Sequence, residues 1–209
     1  MPLPIEDYAM IGDCQTGALV GTDGSIDWLC LPRFDSASTF GALLGAPEQG
    51  RWLLAPVDGA RCTSRAYEDG NFTLVTRWVT TTGEVEVVDF MPIGHRRADL
   101  VRRVRGIRGT VRMTQEIRFR FGYADALPWV RQAPEHAEEG GSALIAVAGP
   151  DSVIVRGPEL KAGDDHLHTS DFTVGEGDTV DIVLTWYPSH REPPKPVDVG
   201  ERLGETAQW

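Results

Sequence analysis

Apolar and polar residues alternate along much of this chain with a period of two. The clearest case runs over eleven residues: Val111, Met113, Gln115, Ile117, Phe119 and Phe121 share one face, while Arg112, Thr114, Glu116, Arg118 and Arg120 share the other. No α-helix gathers such a set into one stripe, so the segment is predicted to be a strand with one face on a core and the other on water or a polar partner. A second strand near the end alternates Val180, Ile182, Leu184 and Trp186 with Asp181, Val183, Thr185 and Tyr187.

Turn chemistry separates these runs at short intervals. Asp23-Gly24 stands between Ala18-Leu19-Val20 and the segment from Ser25 to Leu31, and Asp69-Gly70 stands between residues 63–68 and 71–80. Both dipeptides readily take the positive φ angles of a tight hairpin. Thr82-Gly83 and Gly149-Pro150-Asp151 divide further pairs of runs. About a dozen strands joined in this way predict an all-β chain, a large antiparallel β-sandwich rather than a βαβ fold. Helical pattern is scarce. Phe40, Leu43 and Leu44 after Ser38, closed by Gly45, suit one short capped turn, and 133–141 reads as a polar loop.

The tail has a different character. Pro193-Pro194-Lys195-Pro196 is a stiff, extended linker, and Val199, Leu203 and Ala207 then recur every four residues from a start near Asp198. The expected organisation is a sandwich over residues 1–192, then a proline-rich linker and the start of a helix over 193–209. The helical pattern is still running at Trp209, so the reading includes a truncation, with Trp209 expected to dock on an absent domain.

Composition narrows the function. Twenty basic residues against 31 acidic ones give a net charge of −11, which disfavours general binding to nucleic acid or anionic membrane. Nine arginines cluster between Arg96 and Arg120, but several alternate with apolar residues, as on a solvated or cross-strand-paired sheet face. Cys14, Cys30 and Cys62 give an odd count without Cys-x-x-Cys spacing, hence neither a disulfide framework nor a zinc site, and reduced thiols in the cytoplasm are the default. No signal peptide opens the chain, no apolar run is long enough to span a membrane, and no nucleotide motif is present. His166-Leu167-His168 has the spacing that puts two imidazoles on one strand face, without further ligands to make a metal site. No cofactor is expected.

The segments Ile11-Gly12-Asp13-Cys14-Gln15-Thr16, Asp23 through Ser36 (DGSIDWLCLPRFDS) and Phe40-Gly41-Ala42-Leu43-Leu44-Gly45 resemble the amino-terminal domain of bacterial and archaeal glycoside hydrolase family 15. Val88-Asp89-Phe90-Met91-Pro92, the run from Val101 to Gly106, and the stretch from Tyr123 to Arg131 extend the resemblance over nearly the whole chain. That family holds glucoamylase-like enzymes, glucodextranases and trehalases. The resemblance implies a supersandwich-like domain, a linker helix and a carboxy-terminal (α/α)6 barrel that inverts α-glucosidic bonds with two glutamates. The motifs of those glutamates have no counterpart here, so no catalytic residue is assigned.

Local chemistry leaves few candidates. Asp13, Asp23, Asp27 and Asp35 are close in sequence, but Asp23 reads as a turn former, Asp27 lies opposite Ile26 and Trp28, and Asp35 as a cap of the helical turn or its loop. Pro32 halts a strand, so Arg33, Phe34 and Asp35 sit on a loop, where an aromatic ring and two charges suit contact with an α-glucoside, a domain interface, or a structural Arg33–Asp35 bridge that fixes the loop. Trp129 follows a proline and is the tryptophan expected to expose its ring, whereas Trp78 and Trp186 read as core. Three functions compete: a non-catalytic domain of a hydrolase whose partner is its own barrel, an autonomous carbohydrate-binding module, and a complete small hydrolase. Homo-oligomerisation through an exposed apolar patch is also expected to be possible.

Overall fold

The computed structural model describes residues 2–57, 60–68, 70–94 and 97–208, with Arg61 by its backbone alone; Asp69, Arg96 and Trp209, which figure in the sequence reading, lie outside the described residues. Fifteen strands run in chain order: β1 (Tyr8–Gly12), β2 (Gly17–Gly21), β3 (Ser25–Cys30), β4 (Ser38–Phe40), β5 (Arg51–Pro56), β6 (Arg61–Tyr67), β7 (Leu74–Val79), β8 (Gly83–Phe90), β9 (Asp99–Arg118), β10 (Trp129–Gln132), β11 (Ser142–Ala148), β12 (Asp151–Gly157), β13 (Lys161–Ala162), β14 (His168–Gly175) and β15 (Thr179–Pro188). One α-helix, α1 (Val199–Thr206), follows among the described residues. Among the described residues every strand pairing is antiparallel, so the all-β sandwich read from the alternation is the fold.

The 20-residue strand β9 belongs to both layers. Its first half pairs with β8 and β15, in a layer ordered β6-β7-β8-β9-β15-β12-β11-β10. Its second half pairs with β5 and β14, in a layer ordered β1-β2-β3-β5-β9-β14-β13 with β4 on β3. Between the halves the register slips against Glu84 and Val85, and Gly109 takes φ of +64°. Gly106 lies so close to the neighbouring strand that a Cβ there would stand 1.8 Å from the Gly175 carbonyl oxygen. Only glycine permits that approach, which lets one strand pass from layer to layer.

The two inner faces meet in one core that includes Ile26, Trp52, Leu54, Trp78, Val87, Val104, Met113, Ile117, Phe119 and Leu184. Val111, Met113, Gln115, Ile117, Phe119 and Phe121 are all buried, as their alternation requires. The arginine pattern needs a correction. Arg102 does not face water: it is 0% exposed, on an inward position of β9. Its Nε and Nη2 donate to the two Asp89 oxygens at 2.9 and 3.3 Å, and it donates across the core to the carbonyls of Trp52 (2.9 Å) and Gly24 (2.7 Å). The guanidinium stands 5.3 Å from the Trp52 ring centroid, and the indole N–H of Trp52 donates to Gln115 Oε1 at 3.0 Å. A charge is tolerated there because its partners are all supplied. Arg97, Arg103 and Arg112 follow the expectation and pair with Asp99, Asp181 and Asp171.

The outer face of the first layer is covered as well, which explains why Val183 and Tyr187, on the polar face of their alternation, are buried. Val197, Val199 and Leu203 pack on Val88, Phe90, Val101 and Val183, so α1 lies against the sheet. Asp198 caps it, accepting from the Glu201 N–H at 2.9 Å, where the sequence signals its start. Ser38 is part of β4 and caps no helix; its Oγ accepts from the Tyr123 N–H at 2.9 Å, and the turn after it is a 3₁₀ turn at Ala42–Leu44.

Candidate functional site

Asp13 organises the turn between β1 and β2. Its Oδ1 accepts from the N–H groups of Gln15 and Thr16, both at 2.8 Å, and Cys14 takes φ of +70°. The Thr16 hydroxyl donates to the Cys30 carbonyl at the end of β3, which fixes the turn to the strand that feeds the next loop. That loop begins at Pro32 and returns to the same turn through a hydrogen bond from the Phe34 N–H to the Gln15 carbonyl at 2.9 Å.

The loop is tied within itself. Arg33 N–H donates to Ser36 Oγ (3.2 Å), Ser36 N–H donates to the Arg33 carbonyl (3.1 Å), and the Arg33 guanidinium grips Asp35 at 2.8 and 3.3 Å. The pair is exposed, and its contribution to stability is correspondingly small. It still orients both groups beside the Phe34 ring, which is 59% exposed. Cys14, Gln15, Arg33, Phe34 and Asp35 together line an open cleft of about 370 Å³. Asp35 therefore pairs with Arg33 and does not cap the helical turn.

An exposed ring beside a fixed cation and anion can stack on the apolar face of a sugar and bond its hydroxyls. Proton transfer is another matter. Among the described residues lining the cleft, Asp35 is the one carboxylate, and the Arg33 hydrogen bonds and charge hold it below the usual carboxylate range. A general acid for glycoside cleavage needs its carboxyl group raised and a second carboxyl nearby. The other aspartates are engaged: Asp23 Oδ1 accepts from the Ser25 N–H at 2.9 Å, and Asp27 accepts from the Tyr8 hydroxyl at 2.6 Å and from the Ser25 hydroxyl. Burial, reinforced by Asp27, pushes the Tyr8 hydroxyl well above its ordinary range.

Trp129 opens β10 rather than sitting in a loop; it is 68% exposed and is not among the described residues that line the Arg33 cleft. Trp78 is buried in the core; Trp186 packs against it and bonds Asp151 Oδ1 at 2.9 Å. His166 and His168 do not share a strand face, because His166 sits in a turn at φ of +57° while His168 is buried on β14. Among the described residues no cluster has the composition of a metal site, and no helix is long and apolar enough to cross a membrane.

Sequence reasoning missed a further exposed group. The Tyr67 hydroxyl accepts from the Met10 N–H (2.9 Å) and donates to the Met10 carbonyl (2.8 Å), and Phe72 meets Tyr67 edge-on at 6.3 Å. No local pattern signals it, since β1 and β6 belong to different layers.

Residues 1–172 match the protein family described as trehalase-like, N-terminal. Over 98% of its length the chain is 30% identical to a trehalase of Mycolicibacterium smegmatis and 30% identical to one of Mycobacterium tuberculosis, and it covers 33% of each. Trehalase 1 of Sulfolobus acidocaldarius is 40% identical over 49% of the chain and 18% of its own length. The chain thus spans about a third of the length of the two mycobacterial relatives.

Proposed function

Taking as premise that the chain belongs to the trehalase-like, N-terminal family, we propose that it is the non-catalytic β-sandwich of a glycoside hydrolase. Its role is to steady a separate catalytic portion and to shape one rim of that portion's active site. The parent reaction is hydrolysis of an α-glucosidic bond with inversion, as in glycoside hydrolase family 15, in the cytoplasm, with trehalose as the first substrate to test and glucoamylase-type chains as the second. The observation that carries this reading is the pairing of Asp35 with Arg33: the cleft they line offers a ring and an ion pair but no raised carboxyl group. On this reading Arg33 and Phe34 touch the glucoside or the wall beside it, and the chemistry lies elsewhere in the polypeptide.

The test compares the isolated 209 residues with the full-length polypeptide that contains them. Glucose release from trehalose is expected from the second and not from the first; turnover by the isolated chain would refute the proposal. In the full-length protein, Arg33→Ala and Phe34→Ala are expected to lower kcat/KM by about tenfold, roughly 1.4 kcal/mol of transition-state stabilisation. Unchanged kcat/KM with intact folding removes the rim role. The exposed rings of Phe34 and Trp129 favour one second reading, an autonomous carbohydrate-binding module. Calorimetric titration of the isolated chain with trehalose and malto-oligosaccharides decides it, and absence of heat is expected.

A further inference from the structure

Four large apolar side chains that stand in separate parts of the sequence form one continuous exposed stripe. Phe34 is 59% exposed, Met10 44%, Tyr67 45% and Phe72 46%. A Cβ on Gly17 would lie 3.2 Å from Phe34 Cε1 and 3.5 Å from Met10 Cγ, so both side chains lean over that glycine. Met10 is clasped at both backbone groups by the Tyr67 hydroxyl, and Phe72 abuts Tyr67. The stripe therefore crosses from the outermost strand of one layer, β1, to the outermost strand of the other, β6. Together these residues leave roughly 400 Å² of largely apolar surface in water, within the roughly 300–600 Å² of the largest patch on an ordinary monomer, which is often functional.

The area decides between occupants. A free-standing dimer needs about 800 Å² from each partner, twice what the stripe supplies. Contacts between domains of one polypeptide hold with roughly 600–1,500 Å² in total, because the tether replaces most of the cost of association. A place for that tether exists. Antiparallel pairing of β7 with β8 puts Phe72 and Met91 at the same end of their layer, and the Ile93 N–H donates to Thr206 Oγ1 at 3.4 Å. Helix α1 thus finishes at the end of the sandwich that bears the stripe. The trehalase relatives carry twice as much chain again outside the matched third.

We infer that Met10, Phe34, Tyr67 and Phe72 are the seat on which the catalytic portion of the same polypeptide docks, an inference that rests on the domain reading above. The test uses Met10→Ser with Phe72→Ser, which leaves the Arg33 cleft intact. In the isolated chain the double variant is expected to keep its fold and to unfold within about 5 °C of the parent, since both side chains are already about half exposed. In the full-length protein the same substitutions are expected to lower the unfolding midpoint of the catalytic portion by roughly 5 °C and to speed proteolysis near residues 190–198 about tenfold. Two results overturn the inference: a full-length protein that hydrolyses trehalose yet ignores the substitutions, or an isolated chain that sediments as a dimer and is made monomeric by them. In the second case another copy covers the stripe. Glucose release by the unsubstituted full-length protein judges the function separately, and its absence overturns that reading and this one together.

Discussion

Replacing Arg102 by leucine would leave the Asp89 carboxylate, 1% exposed, without the cation that fills both its oxygens. Removing one member of a buried ion pair costs about 3–5 kcal/mol, because the remaining charge is neither hydrated nor paired. The bond to the Trp52 carbonyl in the opposite layer would go too, whereas the Gly24 carbonyl keeps the Leu54 N–H at 3.1 Å. A loss of about 4 kcal/mol is expected, out of a total stability of roughly 5–15 kcal/mol. In urea, with a slope of about 2 kcal/mol/M, the midpoint should fall by about 2 M at constant slope. Tryptophan fluorescence follows the transition, with Trp52 sited on the lost guanidinium. Arg102→Leu combined with Asp89→Leu should recover much of the deficit, giving a coupling energy of at least about 2 kcal/mol. A single-variant loss below about 1 kcal/mol, or strict additivity of the two, would refute the claim that Arg102 joins the layers through satisfied partners.

Two further outcomes follow from the same packing. Gly106→Ala sets a Cβ against the Gly175 carbonyl backbone and should cost about 3 kcal/mol, read as a lowered thermal midpoint; an unchanged midpoint would mean that the crossing of β9 is not tight. Burial holds the His168 imidazole below its ordinary pKa of 6.5, so the unfolded chain takes up a proton that the folded chain refuses. Its contribution is complete above pH 6.5 and is lost as pH falls through the lowered folded value. Stability of the parent should therefore decline below pH 6.5 more steeply than that of His168→Gln, by up to about 1.4 kcal/mol per pH unit, and parallel pH profiles would exclude the effect.

Much of the fold is legible because strands report their faces. The alternation from Val111 to Phe121 names the buried side residue by residue, and Asp23-Gly24 sets the β2–β3 hairpin, with Gly24 at φ of +84°. The Arg33-Phe34-Asp35 loop is legible for a similar reason, since Pro32 ends a strand and leaves three chemically distinct side chains outside it. Arg102 was not legible. A charge within an alternating strand reads as outward, and its partners Trp52, Gly24 and Asp89 come from both layers, an adjacency that no local pattern encodes. The burial of Val183 on the outer face of β15 was hidden likewise, because what covers it, Val197 and Val199, arrives from beyond a proline-rich segment. Met10, Tyr67 and Phe72 escaped notice because each is an ordinary strand or turn residue until β1 is laid against β6.

Strand β9 has a consequence for how this protein comes apart. With neighbours on both edges in both layers, it cannot leave one without stripping the other of its central member. Fraying is expected first at peripheral strands such as β10 or the two-residue β13, which do not pair with β9, while the strands paired with β9 are expected to melt together. A shift of β9 by one position would turn Leu100, Val104, Met113 and Ile117 outward at once, so burial in both layers selects the observed alignment.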